Sequence, residues 1–207
     1  MPVDLDEILA SIRTCLHRWK FARSEGKAVL GALSNAQLVG TYIDASQSAW
    51  GALAQSRATI CRTGIAAEAH ARKLHNDLNA LHDEMLAATA ELRRQVSQVW
   101  AVAAAGGTVA QDGDLREDIS NTLVPRGGDA RVTVGGGYGL DDLAVASTEV
   151  AEMLDREALV TSIVVRGVGS CLDRDTLTMY ASAWIMQPYV DVSRWRELQV
   201  MIKEPPS

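Results

Sequence analysis

The stretch of residues 36–102 constrains the fold of this chain more than any other part of the sequence. It contains no proline and only three glycines, and alanine is abundant throughout. Proline breaks helices and glycine weakens them, so this composition predicts long helix. If residues 46–102 form one rod, a rise of about 1.5 Å per residue makes it roughly 85 Å long, and such a rod needs another helix to cover its apolar face.

An apolar seam runs along the second half of this stretch. Its residues alternate spacings of four and three, which is the pattern of a coiled coil. The seam comprises Leu74, Leu78, Leu81, Met85, Ala88, Leu92, Gln95 and Val99. The predicted interface residues are Leu74, Leu78, Leu81, Met85, Leu92 and Val99. The partner helix is either the first helix of the same chain or another copy of the chain, and the sequence leaves both open.

A first helix is predicted over residues 4–23. Asp4 and Glu7 resemble a capping box, and apolar residues then repeat at helical spacing. The stretch HRWKFAR at residues 17–23 is interpreted as the end of this helix, where basic side chains meet the negative pole of the helix dipole. We expect the helix to be interrupted between Arg23 and Gly26.

The formal net charge of the 207-residue chain is −6, and the second half carries it. Residues 1–105 have 11 basic and 10 acidic side chains, whereas residues 106–207 have 9 and 16. An acidic surface repels phosphate and anionic lipid, which counts against nucleic acid and membrane surfaces as partners. Nucleic-acid binding by the first helix is nevertheless one possible function, and it would use Arg13, Arg18, Lys20 and Arg23.

Targeting signals and cysteine usage both favour the cytoplasm. The N-terminal MPVDLDEI is acidic where a signal peptide would be basic, and no apolar run approaches the roughly 18 residues that a membrane span needs. Cys15, Cys61 and Cys171 are odd in number and scattered, as expected in a reducing compartment. The protein could also be a component of a phage or secretion apparatus, because export without a signal peptide leaves no trace in the sequence.

The C-terminal part predicts a different architecture. Residues 106–130 are rich in glycine and aspartate and are interpreted as a linker between a helical domain at 1–105 and a small domain at 131–207. The small domain is predicted as β-α-β-β-α, so the fold class is α+β. Its elements are a strand at 131–134, a helix at 141–157, strands at 158–167 and 176–186, and a helix at 194–202. The 176–186 segment also suits a helix, and a strand is favoured because the preceding VGSCLDRD reads as a hairpin loop.

Two loops of the small domain contain residues associated with chemistry. VGGGYGLDD at 134–142 lies where phosphate-binding loops occur, but its glycine spacing does not fit and its aspartates would repel a phosphate. CLDRD at 171–175 and the nearby Asp191 supply carboxylates that can bind Mg²⁺. Asp173, Asp175 and Asp191 are therefore weak catalytic candidates, and no metal or cofactor site is assigned.

Histidines and acidic residues flank the seam. In heptad positions, Asp77, Glu84 and Glu91 lie on one flank, and His75 and His82 lie on the other. In a parallel pairing of two chains these groups would meet, and association would tighten as the pH falls and the imidazoles become charged.

These features favour a non-enzymatic assembly or adaptor protein that associates with itself or with a larger complex through its helical seam. The alternative is a small metal-dependent hydrolase or nuclease-like effector, in which the helical half serves for dimerisation or delivery and the three aspartates hold the metal.

Overall fold

The computed structural model describes residues 5–49, 54–108, 133–170 and 173–203. These residues form five α-helices and one 3₁₀ turn at Gly135–Gly137. The helices are α1 (Leu5–Ala49), α2 (Ala54–Thr108), α3 (Leu140–Val168), α4 (Arg174–Met186) and α5 (Val192–Met201). Apart from the break expected between Arg23 and Gly26, the helical character predicted for residues 1–105 is confirmed wherever that region is described.

The prediction of an α+β fold with a β-α-β-β-α domain is wrong. Within the described ranges there is no strand, and Thr133 and Gly139 form only an isolated antiparallel bridge. The segment 158–167 belongs to α3, and the segment 176–186 belongs to α4. Residues 131 and 132 of the first predicted strand, and most of the predicted linker, lie outside the described part. The predicted domain boundaries stay predictions.

The apolar pattern of α3 explains why residues 158–167 are helical despite their strand-like composition. Its buried positions follow spacings of three and four from Leu154 through Ala158, Thr161 and Val165 to Val168. The β-branched residues in this segment cost about 0.7 kcal/mol each in helix propensity at most. Burial of an aliphatic side chain contributes roughly 1.5–3 kcal/mol, so the packing of one helical face outweighs the local preference.

Capping aspartates fix the starts of the last two helices. The side chain of Asp173 accepts a hydrogen bond from the backbone N–H of Thr176, 2.9 Å away, and begins α4. Asp191 accepts from the backbone N–H of Ser193 at 2.7 Å and begins α5. The predicted final helix is thus present as α5, with Asp191 as its cap.

The chain separates into two compact units, each drawn from distant parts of the sequence. Unit 1 comprises residues 1–15, 90–152 and 191–207, and unit 2 comprises residues 16–89 and 153–190.

Unit 1 joins the start of α3 to the end of α2 and to α5. The indole Nε1–H of Trp100 on α2 donates a hydrogen bond to Thr148 Oγ1 on α3, 3.0 Å away. Arg194 on α5 forms an ion pair with Glu149 on α3, with Nε and Oε2 3.0 Å apart. Its buried apolar side chains come from all four helical segments and include Ile12, Val99, Leu143, Val150 and Leu198.

In unit 2, α1 and α2 form a helical hairpin. The apolar rod predicted over 46–102 falls on the end of α1 and most of α2, and residues 50–53 between these helices lie outside the described part. Arg18 Nε on α1 donates to Glu84 Oε1 on α2, 2.6 Å away. Further along α1, Gln37 donates to the carbonyl of Val168, and the adjacent Gly169 lies against His75, which precedes Glu84 on α2, so α1 and α2 run antiparallel.

Helix α3 runs antiparallel to α2 in the same unit. The imidazole Nδ1 of His82 lies 3.2 Å from Thr161 Oγ1. Nearer the start of α2, the ring of His75 lies against the backbone of Gly169, just after α3 ends. Positions later in α3 therefore contact positions earlier in α2, as in an antiparallel pair of helices.

Helix α4 completes an up-down-up-down arrangement of four helices in unit 2. It follows α3 after a short connection at 169–173 and returns along it, with the phenol of Tyr180 against Gly167. On its other side, the indole of Trp184 lies against Gly26 of α1.

The helix break predicted between Arg23 and Gly26 is wrong, because α1 continues through this position and Gly26 makes room for the indole.

Two glycines of α1 provide a matched test of this packing. A Cβ at Gly26 would overlap the Trp184 ring, whereas a Cβ at Gly31 would have no atom within 4 Å. We expect Gly31→Ala to raise the free energy of unfolding by about 1 kcal/mol, because alanine favours helix. Gly26→Ala should lower it by about 1–3 kcal/mol through overpacking. Urea denaturation measures both, and equal stabilisation by the two variants would contradict the contact with α4.

Candidate functional site

The structure places the predicted seam residues inside a single chain. The side chains of Leu78, Met85, Leu92 and Val99 are fully buried, and those of Leu74 and Leu81 are partly buried. Fully buried side chains are unavailable to a second protein unless the helices separate. An interface at these residues stays a prediction that requires such an opening, and an accessible surface has to be sought elsewhere.

Acidic residues beside the seam have partners within the chain. The hydrogen bond from Arg18 holds the pKa of Glu84 below its ordinary value. Hydrogen bonds from Arg94 and Gln95 lower the pKa of Glu91 to about 2. The pairing hypothesis assigned these carboxylates to histidines of another chain, and in the structure their hydrogen bonds are made to their own chain instead.

His82 is a buried neighbour of α3 rather than a flanking surface group. Its ring faces Thr161, whose hydroxyl donates to the carbonyl of Ala158, 3.0 Å away. Because the hydroxyl proton of Thr161 is donated to Ala158, Thr161 Oγ1 can accept a hydrogen bond from the imidazole Nδ1–H. This arrangement fits the neutral tautomer protonated on Nδ1. Burial lowers the pKa of His82 below its ordinary value, so the fold favours this neutral form.

Two of the three candidate aspartates cap helices, and the third lies in a first helical turn. Asp173 caps α4 in unit 2, and its hydrogen bonds from Thr176 lower the pKa of its carboxyl. Asp191 caps α5 in unit 1, and Asp175 lies in the exposed first turn of α4. Across the described ranges, no group of three His, Cys, Asp or Glu side chains is placed to hold a metal ion.

The glycine loop before α3 packs against protein backbone. A Cβ at Gly135 would lie 2.5 Å from the carbonyl oxygen of Val200 and 2.8 Å from that of Met201, at the C-terminal end of α5. Asp142 Oδ2 accepts a hydrogen bond from the N–H of Gly139, 3.0 Å away. These contacts place carbonyl and carboxylate oxygens around the loop.

A buried carboxyl that the sequence reasoning did not single out lies on the inner face of α3. Glu157 is fully buried, between Leu154 and Thr161 in the core stripe of the helix. Its Oε2 accepts a hydrogen bond from the backbone N–H of Tyr189, 3.3 Å away, and its Oε1 has no hydrogen-bond partner. Burial raises the pKa of Glu157 more than the positive charge of Arg23 lowers it. The sequence could have indicated this buried carboxyl, because Glu157 is a charged residue at a core position of the apolar pattern.

Arg23 is the last residue of the HRWKFAR stretch, and in unit 2 it lies beside the end of α4. Its Nη2 donates to the carbonyl oxygen of Ile185. The backbone carbonyl of Arg23 accepts a hydrogen bond from the indole N–H of Trp184, 3.0 Å away. Burial lowers the pKa of the guanidinium, and the charge of Glu157 acts in the opposite direction. Arg23 therefore holds α4 against α1.

The outer face of α3 in unit 2 carries an exposed apolar pair. Leu159 is 68% exposed and Ile163 is 64% exposed. They lie one helical turn apart, and exposed Arg156 and Arg166 lie about one turn before and after them on the same side. We call these four residues the α3 stripe. It is an accessible apolar surface with basic ends.

No family of known proteins matches this chain, and no curated protein is significantly similar to it. Within the described part, none of the helices combines the length and the apolar character needed to cross a membrane.

The two aspartates at the start of α4 distinguish capping from metal binding. We expect Asp173→Ala to lower the free energy of unfolding by about 1 kcal/mol through loss of the cap. Asp175→Ala should lower it by only about 0.3 kcal/mol through loss of a first-turn carboxylate. Thermal denaturation with and without millimolar magnesium measures both effects. A magnesium-dependent rise in Tm that either variant abolishes would contradict the capping account.

Proposed function

We propose that this protein is a non-enzymatic interaction protein that binds another protein through the α3 stripe. The observation that carries the proposal is the exposure of Leu159 and Ile163, at 68% and 64%, on a helix whose opposite face forms the core. Their contiguity on one helical face is typical of a binding surface, whereas single exposed aliphatic residues are common on any protein.

The ends of the stripe define the chemistry of the partner. Arg156 and Arg166 are ten residues apart in the sequence, which corresponds to roughly 15 Å along the helix. Arg156 also interacts within its own chain, so Arg166 supplies the greater part of the available charge. The complementary surface is an amphipathic segment with an apolar centre and carboxylates toward its ends. We therefore assign an acidic amphipathic segment of another protein as the occupant.

A second copy of this chain fits the stripe less well than such a partner. In a symmetric antiparallel pairing centred on the apolar residues, Leu159 would meet Ile163 of the copy and Arg156 would meet its Arg166. Like charges placed opposite each other oppose association. Parallel pairing would place each arginine beside its own counterpart, with the same result.

The size of the stripe indicates a modest affinity. Burial of the exposed two thirds of these two aliphatic side chains contributes about 2–4 kcal/mol, and association costs offset a large part of it. A partner would thus need contacts beyond the apolar pair for tight binding. This energetic range favours a reversible adaptor over a permanent subunit.

Site-specific photo-crosslinking in the cells that produce the protein tests the proposal. A photoreactive phenylalanine derivative replaces Leu159, and in a matched control it replaces Met179, which is 58% exposed on α4. We expect an adduct from position 159 but not from 179, and mass spectrometry should place the crosslink in an acidic amphipathic segment. A crosslink only to a second copy of this chain, or equal adducts from both positions, would contradict the proposal.

Substitution of the pair supplies the quantitative test once the segment is mapped. Leu159→Asp combined with Ile163→Asp should weaken binding of a synthetic peptide with that sequence by about 100-fold or more, because both apolar contacts are lost and negative charge is added. Met179→Asp is the control and should leave the Kd unchanged. Isothermal titration calorimetry measures the three dissociation constants, and an unchanged Kd for the double variant would contradict the assignment.

A further inference from the structure

We propose that Glu157 is a proton-dependent latch that fastens the end of α4 to α3, so that the neutral carboxyl closes the latch and the carboxylate favours its release. The latch consists of Glu157 on α3, Arg23 on α1, and the segment from Trp184 to Tyr189. All of these residues belong to unit 2. The proposal is independent of the partner assigned to the α3 stripe.

Three side chains hold the end of α4. The indole N–H of Trp184 donates to the carbonyl of Arg23, and the guanidinium of Arg23 donates to the carbonyl of Ile185. Glu157 then accepts from the N–H of Tyr189, beyond the left-handed Gln187 that ends the helix. The Glu157 contact is the outermost of the three along the chain, so its loss frees the turn without breaking the contacts to α1.

The geometry at Glu157 suits a neutral carboxyl better than a carboxylate. A hydrogen bond from N–H to a carboxylate ordinarily spans about 2.7–2.9 Å. The contact from Tyr189 is 3.3 Å, and the other carboxyl oxygen is buried without a partner. A buried carboxylate requires several strong donors, and here the guanidinium of Arg23 is directed to the Ile185 carbonyl instead.

Among the described residues, the charged and titratable neighbours of the latch come from α1, α2 and the turn after α4. From α1, Arg23 faces Glu157 and favours the ionised form. From the turn after α4, Tyr189 presents its backbone N–H. From α2, the neighbouring titratable group is His82, whose ring meets Thr161 one turn further along α3 and is kept neutral by burial. Burial therefore sets the balance, and it favours the proton on Glu157.

The direction of the pH dependence follows from this balance. Burial raises the pKa of Glu157 in the closed form, whereas an opened turn exposes the carboxyl to water and returns it to its ordinary value of 4.5. Between these two values the closed form binds a proton that the open form lacks. Protonation of Glu157 therefore favours the closed form fully at pH values below the pKa of the open form. This preference is lost as the pH rises through the raised pKa of the closed form.

Amide hydrogen exchange of the full chain tests the latch. The protection factor of the Tyr189 amide, corrected for the intrinsic rate, is measured by NMR between about pH 5 and about pH 7.5. We expect it to fall with rising pH, by about tenfold for each unit that separates the two pKa values. Glu157→Gln keeps the acceptor but cannot ionise, so its protection factor should stay constant. Glu152→Gln, an exposed change on the same helix, should behave as the parent.

A second variant keeps the test decisive if Glu157→Gln does not fold. Arg23→Gln removes the facing positive charge, which raises the pKa of the closed carboxyl further. The fall in protection should therefore extend to higher pH than in the parent. A protection factor that is constant with pH in the parent, a fall that persists in Glu157→Gln, or an unshifted profile in Arg23→Gln would overturn the proposal.

Discussion

The packing of α3 in unit 2 is the constraint on which the rest of that unit depends. Its inner face presents apolar side chains together with one carboxyl and one hydroxyl, and α1, α2 and α4 each supply a contact to that face or to its ends. Gln37 of α1 donates to the carbonyl of Val168, 2.6 Å away, and His82 of α2 meets Thr161. Tyr189 after α4 meets Glu157. All three contacts depend on residues 157–168 being helical, as they are in α3.

The same helix separates the stabilising surface from the candidate binding surface. Positions that repeat at spacings of three and four on one side are buried, and Leu159 and Ile163 on the other side are exposed. The leucine-rich seam of α2 has the more regular apolar pattern, yet its central side chains are buried within one chain. A strong periodic pattern thus indicates that a helix has a partner, and it does not indicate whether the partner belongs to another molecule.

The sequence allowed the N-terminal helices and the start of α3 to be predicted, but not the C-terminal fold. Residues 158–167 contain several β-branched side chains, and local preference was allowed to outweigh the helical spacing that continues from Leu154. The hairpin loop expected before residue 176 is instead a helix start, because Asp173 caps α4. Gly26 was interpreted as a helix break, although its role depends on Trp184, far away in the sequence. Contacts of this kind cannot be derived from local pattern.

The candidate site was missed for related reasons. Leu159 and Ile163 were assigned to a strand, so their shared helical face was not apparent. Glu157 ended the predicted helix, where a carboxylate would be ordinary, and only the continuation of α3 places it in the core. Arg23 was part of a basic stretch already under consideration, and its backbone and guanidinium contacts emerged only with the packing of α4.

The helical path of residues 158–167 is the central claim, because both the inner contacts and the α3 stripe depend on it. A scan of single cysteines over these positions, in a variant whose three natural cysteines are replaced by alanine, measures it directly through reaction with a thiol reagent in the folded protein. The account predicts fast reaction at 159 and 163 and slow reaction at 158, 161, 164 and 165. Reactivity that alternates at every second residue would show a strand and would contradict it.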